Sequence, residues 1–261
     1  MLRRRELVCR GAALWAAASG LARAGDESAA FEAETFARAL QAYGLATPPI
    51  GPALTLKALD LVEDGATVEV GVASTLAGAQ RLLLLVEKNP NPLAARFDLD
   101  ERVMPALTLR LRVAQSCELW ALALLPGTPA VAARRPVAVT LGGCGEGEIA
   151  NDLPSLDTAP QATRIRVRRQ GAGADVRMLM SHPMETGLRK DAAGRPVPAW
   201  HIRDLSVTLN GAALLRARWG PSLSRNPYLQ FGLKNAAAGD VIGVDWTDTR
   251  GARRHDETSV G

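Results

Sequence analysis

The feature that most constrains the fold is a series of short apolar runs separated by turn-forming residues. Six runs lie between residues 54 and 141, and seven more lie between residues 164 and 258. Turn signals such as Asn89-Pro90-Asn91-Pro92 and Pro126-Gly127 separate the runs of the first series. Runs this short and this evenly spaced are typical of antiparallel β-sandwiches. The sequence therefore predicts an all-β protein with two sandwich domains.

The strands predicted for the first domain are Leu54–Leu61, Thr67–Val72, Arg81–Glu87, Val103–Val113, Cys117–Leu125 and Val131–Leu141. Those predicted for the second domain are Arg164–Arg169, Asp175–Met180, Ala199–Leu209, Ala213–Arg218, Tyr228–Leu233, Asp240–Thr247 and Arg253–Thr258. Asn210-Gly211 is a strong hairpin signal, and Asp248-Thr249-Arg250-Gly251 is another.

One helix is predicted ahead of the first sandwich, over Ala30–Leu45. Its apolar residues, among them Phe36 and Leu40, recur at helical spacing. Ser28 is the expected N-cap and Gly44 the expected stop.

Residues 1–24 are expected to be an export signal that is removed. Arg3, Arg4 and Arg5 precede an uncharged apolar run, Gly11–Leu21, and Ala22-Arg23-Ala24 is a cleavage site of the A-x-A type. The run is too short to cross a hydrocarbon core of roughly 30 Å, so no membrane anchor is predicted. The pair Arg4-Arg5 favours a twin-arginine (Tat) signal, with an ordinary secretion signal as the alternative. Either signal predicts a periplasmic protein.

Charge is distributed unevenly along the remaining chain. The whole chain has a net charge of +4, and residues 1–24 also contribute +4, so the mature protein is about neutral. This neutrality, with an aromatic content of 4%, argues against a nucleic-acid partner. Residues 25–160 carry −7 and residues 161–261 carry +7. Opposite charges favour docking of the two halves, although two domains of different origin would also give this pattern.

A single thiol stands out within Gly142-Gly143-Cys144-Gly145, at the end of the last strand of the first domain. Glycine has no Cβ, so this segment is thin and conformationally free, as an arm entering another protein's pocket must be. The alternative is a tight turn that happens to contain a cysteine. Cys117 opens an apolar run and is expected to be a buried, unreactive thiol, and the cysteines show neither a disulfide framework nor zinc-ligand spacing.

Residues 142–161 are interpreted as the carrier arm followed by a linker. The segment contains glycines, two prolines and four acidic residues without apolar periodicity. The 17 residues from Gly145 to Gln161 could span on the order of 55 Å when fully extended.

Several longer segments resemble one known pair of subunits. The glycine-flanked Cys144 and the run Val86–Pro92 (VEKNPNP) resemble the SoxY subunit of the sulfur-oxidising Sox system. The second half resembles SoxZ through MSHPMETG (Met180–Gly187), LRKD (Leu188–Asp191), WGPSLSRNP (Trp219–Pro227) and DWTDTRG (Asp245–Gly251).

The resemblance implies a fused SoxY–SoxZ sulfur carrier made of two immunoglobulin-like sandwiches. Residues 25–141 would form the SoxY-like domain and residues 162–261 the SoxZ-like domain. Cys144 would hold the sulfur cargo covalently, with Gly142, Gly143 and Gly145 giving the arm its flexibility. The expected partners are a SoxAX-type c-type cytochrome, a SoxB-type manganese hydrolase and a SoxCD-type molybdenum–haem dehydrogenase. The carrier itself would be neither an enzyme nor the holder of a metal or cofactor.

Two departures from the family pattern bear on the thiol. The family's strip is usually Gly-Gly-Cys-Gly-Gly at the end of the chain, whereas here Glu146 replaces the last glycine and the chain continues. Negative charge from Glu146 and Glu148 should raise the pKa of the Cys144 thiol.

Two alternative functions remain open from the sequence. Four even-numbered residues would share one face of an extended strand: Met178, Met180, His182 and Met184. Sulfur and imidazole ligands suit Cu(I), so one alternative is a copper-binding periplasmic protein. Pro183 interrupts such a strand, and packing would equally explain these residues. The other alternative is a SoxYZ-like carrier that serves a periplasmic quinoprotein dehydrogenase.

Overall fold

The computed structural model describes residues 27–78, 81–143, 161–191 and 193–261, and within these ranges β-strands are the main secondary structure. The first half, residues 27–143, contains the helices α1 (Glu27–Glu32) and α2 (Phe36–Ala42) and the strands β1 (Leu54–Lys57), β2 (Leu61–Asp64), β3 (Val68–Ser74), β4 (Arg81–Val86), β5 (Leu93–Leu99), β6 (Val103–Leu111), β7 (Cys117–Leu124) and β8 (Val131–Leu141). The second half, residues 161–261, contains β9 (Arg164–Gln170), β10 (Gly173–Leu179), β11 (Ile202–Leu209), β12 (Ala212–Trp219), β13 (Tyr228–Leu233), β14 (Val241–Asp248) and β15 (Arg253–Ser259). The predicted arm and linker fall mostly on residues 144–160, which lie outside the described residues.

The strands form two sheets, and both sheets run through both halves. One has nine strands in the order β15-β14-β11-β12-β5-β4-β7-β8-β2, and the other has six in the order β1-β3-β6-β13-β10-β9. The prediction of an all-β fold with two sandwiches is confirmed. The sandwiches do not stand apart, however, because each shares its two sheets with the other.

Two antiparallel strand pairs join the halves, and we call this region the strand junction. β5 pairs with β12 from Ala95↔Trp219 to Leu99↔Leu215, and β6 pairs with β13 through Leu107↔Phe231 and Leu109↔Leu229. Apolar side chains from both halves form one core between the sheets, and Phe97 at its centre is 0% exposed. Strands that would otherwise be exposed sheet edges are therefore paired with each other.

Opposite charge contributes less to the contact between the two halves than their net charges of −7 and +7 suggested. Within the described ranges, every ion pair that the structure forms joins two residues of the same half. Part of the positive charge of the second half lies on the edge strand β9, where Arg164, Arg166, Arg168 and Arg169 are exposed. Charged side chains on an edge strand discourage pairing with other molecules.

The helices cover the outer face of the nine-stranded sheet. Leu83 and Leu85 of β4 face a small apolar cluster under α1 and α2, whereas Leu82 and Leu84 face the main core. Burial of both faces explains why β4 is a continuous apolar run instead of an alternating one.

The predicted single helix over Ala30–Leu45 is wrong, because the chain forms two helices with a break between them. Thr35 has extended backbone angles and its hydroxyl accepts a hydrogen bond from the Arg38 amide at 3.3 Å, so Thr35 is the N-cap of α2. Ser28 lies inside α1 and is not an N-cap. Gly44 follows the last helical turn with φ +68°, as predicted for a stop.

The strand predictions fail at two places in the first half. The run Leu54–Leu61 is divided between β1 and β2, because the chain crosses there from the six-stranded to the nine-stranded sheet. β2 pairs with β8 in parallel, in an otherwise antiparallel arrangement of named strands within the described ranges. The strand β5 was not predicted at all.

Both hairpin predictions are confirmed. Asn210 and Gly211 have φ of +50° and +79°, which is the backbone of a type I′ turn between β11 and β12. The side chain of Asp248 accepts hydrogen bonds from the amides of Arg250 and Ala252 and so shapes the turn between β14 and β15. In the described part of the chain, no helix is both long enough and apolar enough to cross a membrane.

Candidate functional site: the root of the cysteine arm

The described part of the first half ends at Gly143, one residue before Cys144. Cys144, Gly145 and Glu146 lie outside the described residues, whereas Gly142 and Gly143 follow directly from β8. The geometry available for the candidate site is therefore that of its root, which is the backbone through which the chain reaches the thiol.

The root is held by three backbone segments that approach each other closely. The Gly143 amide donates to the Val113 carbonyl at 3.0 Å, the Val113 amide donates to Gly65 at 2.8 Å, and the Gly65 amide donates to Leu141 at 2.8 Å. A Cβ on Gly143 would overlap the Gly65 carbonyl, and a Cβ on Gly142 would overlap the Ala114 carbonyl. The two glycines are thus needed for close packing, a requirement that the prediction of a flexible arm did not include.

A buried arginine ties this root to the second half. Arg112 is 4% exposed, and its guanidinium donates to the carbonyl oxygen of Gly143 at 3.2 Å. It also donates to the carbonyl oxygens of Leu223 at 3.4 Å and Pro183 at 3.5 Å. The planar fork of the guanidinium suits such divergent acceptors, and its charge strengthens each bond.

Two further polar side chains hold the backbone of Arg112. Asn89, 2% exposed, donates to the Arg112 carbonyl at 2.8 Å and to the Ser222 hydroxyl at 3.0 Å. The side-chain oxygen of Asn89 accepts from the Ala114 amide at 2.9 Å. The Arg112 amide donates to the Ser222 carbonyl at 2.7 Å. We call Asn89, Arg112, Gly143 and Ser222 the arm-root cluster.

The arm-root cluster brings together segments that the sequence had singled out separately. Asn89 belongs to VEKNPNP, Ser222 belongs to WGPSLSRNP, and the Arg112 acceptor Pro183 belongs to MSHPMETG. Arg112 itself was missed, because an arginine inside an apolar run gives no sign that its side chain is buried. Gly65 has a packing role as well, because a Cβ there would overlap the Val113 carbonyl oxygen and crowd the Gly143 amide.

The Met/His segment is packed into the core. Met178, Met180 and Met184 are fully buried, and the Met184 sulfur accepts a hydrogen bond from the Ile202 amide at 3.3 Å. The regular strand β10 ends at Leu179, and Met184 has φ +52°, so the predicted single strand face does not extend over these residues. In the described ranges, no group of three His, Cys, Asp or Glu could hold a metal ion.

His182 lies in a buried polar pocket beside the methionines. Its Nδ1 accepts from the Met184 amide at 3.0 Å, and its Nε2 lies 3.5 Å from an Asp248 carboxylate oxygen. That oxygen accepts a 2.7 Å hydrogen bond from the Trp200 indole. Burial lowers the pKa of His182 to about 4, and the neighbouring Asp248 opposes that shift only in part. The imidazole is therefore neutral at pH 7.

Three other titratable side chains, His201, His255 and Cys117, lie in different environments. Burial lowers the pKa of His201 to about 4, whereas exposed His255 bonds Asp245 at 2.8 Å and this contact raises its pKa. Cys117 is half-buried at the start of β7, and desolvation raises the pKa of its thiol. A raised thiol pKa disfavours the nucleophilic thiolate, as expected for an unreactive cysteine.

Taken together, these features define a class of protein in which two β-sandwiches share their sheets, and a buried arginine connects the root of a cysteine-bearing arm on the first sandwich to the second sandwich. Residues 40–144 match the family model described as sulfur oxidation protein SoxY, and residues 164–259 match the one described as sulphur oxidation protein SoxZ. The two matches follow each other and together account for most of the chain. The chain therefore belongs to the SoxY and SoxZ families, fused in that order in one polypeptide.

Similar solved structures include the sulfur carrier protein SoxY from Chlorobium limicola f thiosulfatophilum. It is 32% identical, the alignment covers 42% of this chain and 96% of that one, and the TM-score is 0.37. A β-glycosidase from Bacteroides vulgatus is 10% identical over 86% of this chain and 26% of its own, with a TM-score of 0.25. A marsupial T cell receptor is 12% identical over 80% of this chain and 61% of its own, also with a TM-score of 0.25. No curated protein matches the chain.

Proposed function

We propose that this protein is a covalent carrier of sulfur intermediates in thiosulfate oxidation and that Cys144 holds the cargo. The observation that carries the proposal is the arm root. Gly143, the residue bonded to Cys144, is held by Val113 and Arg112 of the first half, and Arg112 also bonds two carbonyl oxygens of the second half. The SoxY match ends at Cys144 itself. A shuttle needs one nucleophilic sulfur on a narrow stem whose origin is firmly anchored, and the described residues supply that anchor.

The proposed chemistry attaches thiosulfate to Cys144 and then releases one of its two sulfur atoms as sulfate. In loading, the Cys144 thiolate and thiosulfate form an S–S bond and give Cys–S–S–SO3⁻, while two electrons pass to a c-type cytochrome partner. In unloading, water cleaves the S–SO3⁻ bond, releasing sulfate and two protons and leaving a persulfide anion, Cys–S–S⁻, at Cys144. Covalent attachment keeps these intermediates from diffusing away between partners. The protein would supply the thiol and its presentation, and the partner enzymes would supply the catalysis.

We further propose the partners and the location that this chemistry requires. The partners would be a SoxAX-type cytochrome for loading, a SoxB-type hydrolase for unloading and a SoxCD-type dehydrogenase for oxidising the remaining sulfur. The export signal predicted for residues 1–24, with its Arg4-Arg5 pair, would place the carrier in the periplasm. Replacing both arginines with lysine should leave the precursor in the cytoplasm if the twin-arginine route is used, and unimpaired export would contradict that route.

The test of cargo attachment compares the two cysteines of the predicted mature chain. Protein purified from its host should carry sulfane-sulfur or thiosulfate adducts on Cys144 in intact mass spectrometry. Cys144→Ser should abolish thiosulfate-dependent turnover with the partner enzymes, because it removes the attachment sulfur. Cys117→Ser is the matched control and should retain most of the turnover, because its thiol is half-buried and disfavoured as a thiolate. Equal losses in both variants would contradict the assignment.

A further inference from the structure

We propose that Arg112 is a positioning residue, through which the second half of the protein sets the direction in which the arm leaves the folded body. Its meaning for sulfur transfer depends on the proposed function, but the arrangement itself can be tested without any sulfur chemistry.

The first step of the argument is the set of atoms that Arg112 joins. One side chain bonds the carbonyl of Gly143 in the first half and the carbonyls of Pro183 and Leu223 in the second half. Within the described residues, this guanidinium bonds both Gly143 and two SoxZ-like segments. A change in the position of those segments therefore reaches Gly143 directly.

The second step is that the two peptide units on either side of the Gly143 Cα are each held by a hydrogen bond. The Gly143 amide is bonded to Val113 and the Gly143 carbonyl is bonded to Arg112. A peptide bond is planar, so holding the Gly143 carbonyl fixes the orientation of the plane through which the chain continues to residue 144. Removing the guanidinium would leave the hydrogen bond from the Gly143 amide to Val113 in place, but the Gly143 carbonyl would be free to rotate.

The third step is that Arg112 is itself held from the second half. Its amide donates to Ser222 and its carbonyl accepts from Asn89, whose side chain also bonds the Ser222 hydroxyl. With its backbone anchored on both sides and its side chain buried, the guanidinium is confined to a narrow range of positions. A side chain can hold a neighbouring group in one position only if the side chain itself is held in one position. The confined Arg112 guanidinium meets this requirement for the Gly143 carbonyl.

The chain offers a matched control two residues earlier. Arg110 on β6 is also an arginine close to both halves, but it lies on the surface, 3.7 Å from Glu69 and 4.9 Å above the Tyr228 ring. It does not contact Gly143. We call the hydrogen bonds from Arg112 to Gly143, Pro183 and Leu223 the clamp. Comparing Arg110 with Arg112 separates the effect of losing the clamp from the effect of losing one positive charge.

The experiment measures the mobility of a nitroxide label on Cys144 of the predicted mature chain (residues 25–261), in a Cys117→Ser background, by electron paramagnetic resonance. We expect a restricted spectrum for the parent and for Arg110→Gln, a predominantly mobile spectrum for Arg112→Gln, and an intermediate one for Arg112→Lys, which keeps the charge but not the fork. Thermal unfolding of each variant confirms that it is folded. Should Arg112→Gln fail to fold, Arg112→Lys and Ser222→Ala provide the same comparison. An unchanged spectrum in the folded Arg112 variants would overturn the proposal.

A second measurement tests whether the clamp affects sulfur loading. It also distinguishes the positioning role of Arg112 from sulfur carriage on Cys144. With unlabelled protein, Arg112→Gln should raise the carrier concentration that a loading enzyme needs for half-maximal rate by several-fold, with a smaller change in maximal rate, and Arg110→Gln should change neither. If Cys144→Ser retained turnover, sulfur carriage on Cys144 would be wrong while the mobility result stood. If mobility were independent of Arg112, the clamp would be wrong while sulfur carriage stood.

Discussion

The two halves of this protein meet in two regions of very different chemistry. At the strand junction, β5 pairs with β12 and β6 pairs with β13 above a shared apolar core. At the arm-root cluster, buried Asn89, Arg112 and Ser222 connect the halves through hydrogen bonds. Apolar burial contributes stability roughly in proportion to its area, whereas buried polar contacts add less net stability but enforce one geometry. We infer that the strand junction holds the halves together and that the arm-root cluster determines where the arm begins.

The largest effect is expected at the strand junction. Phe97→Ala should lower the free energy of unfolding by about 3–5 kcal/mol, because it leaves a cavity in the core shared by both halves. The matched control is Phe36→Ala under the helices, where the ring is only half-buried beside Trp120 and the loss should be clearly smaller. Chemical denaturation measures both. Equal losses would mean that the strand junction has no special place in the stability of the molecule.

A second effect concerns pH and arises in the second half. His182 has a folded pKa of about 4, below the ordinary value of 6.5, because burial disfavours its charged form. The unfolded chain therefore binds more protons between these values, so stability is fully present above pH 6.5 and is lost as the pH falls towards 4. The loss for His182 is about 3.5 kcal/mol at most, since each pKa unit corresponds to roughly 1.4 kcal/mol.

The pH effect can be checked by comparing two histidines. His182→Gln should flatten the dependence of the unfolding midpoint on pH between 6.5 and 4, leaving the part due to His201. His255→Gln should keep the slope, because His255 is exposed and its pKa is shifted in the other direction. A parent protein whose stability does not fall across this range would contradict the buried, neutral state of His182.

The smallest effect is expected at the arm-root cluster. Ser222→Ala should lower the free energy of unfolding by about 1–2 kcal/mol, because it removes one buried hydrogen-bond acceptor of Asn89. Ser181→Ala is the matched control; its exposed hydroxyl makes one long contact of 3.4 Å to Gln161, and its loss should stay within about 0.5 kcal/mol. If Ser222→Ala lowered the free energy of unfolding as much as Phe97→Ala, the arm-root cluster would contribute to the stability of the fold as well as set the direction of the arm.

The comparison also shows what could be predicted from the sequence about the fold. Short apolar runs between turn-forming residues correctly predicted most strands. The Asn210-Gly211 and Asp248–Gly251 signals predicted both hairpins, because turns of this kind depend on the local backbone. β5 was missed although Ala95, Phe97 and Leu99 alternate with Arg96 and Asp98, since two prolines precede it and alanines dilute the apolar signal. The missed strand is one that joins the halves, so the shared sheets could not be foreseen.

For the candidate site, the sequence identified segments but not their meeting. VEKNPNP, WGPSLSRNP and MSHPMETG were recognised one by one, and the structure brings all three to Arg112. A charged residue in an apolar run normally faces solvent, and only the tertiary contacts with Gly143, Pro183 and Leu223 show that this one is buried. The glycines of the arm were attributed to flexibility because close backbone approach leaves no trace in composition.

The central claim is that the halves form one folded unit through paired strands and a common core, and not through opposite charge. The most direct test is to introduce a protease site between Leu153 and Gln161, cleave the purified protein and follow both fragments by size-exclusion chromatography at low salt and at about 1 M salt. High salt screens attraction between exposed charges but leaves apolar burial intact. The account predicts that the fragments co-elute under both conditions. Fragments that co-elute at low salt but separate at high salt would show that charge holds the halves together and would contradict it.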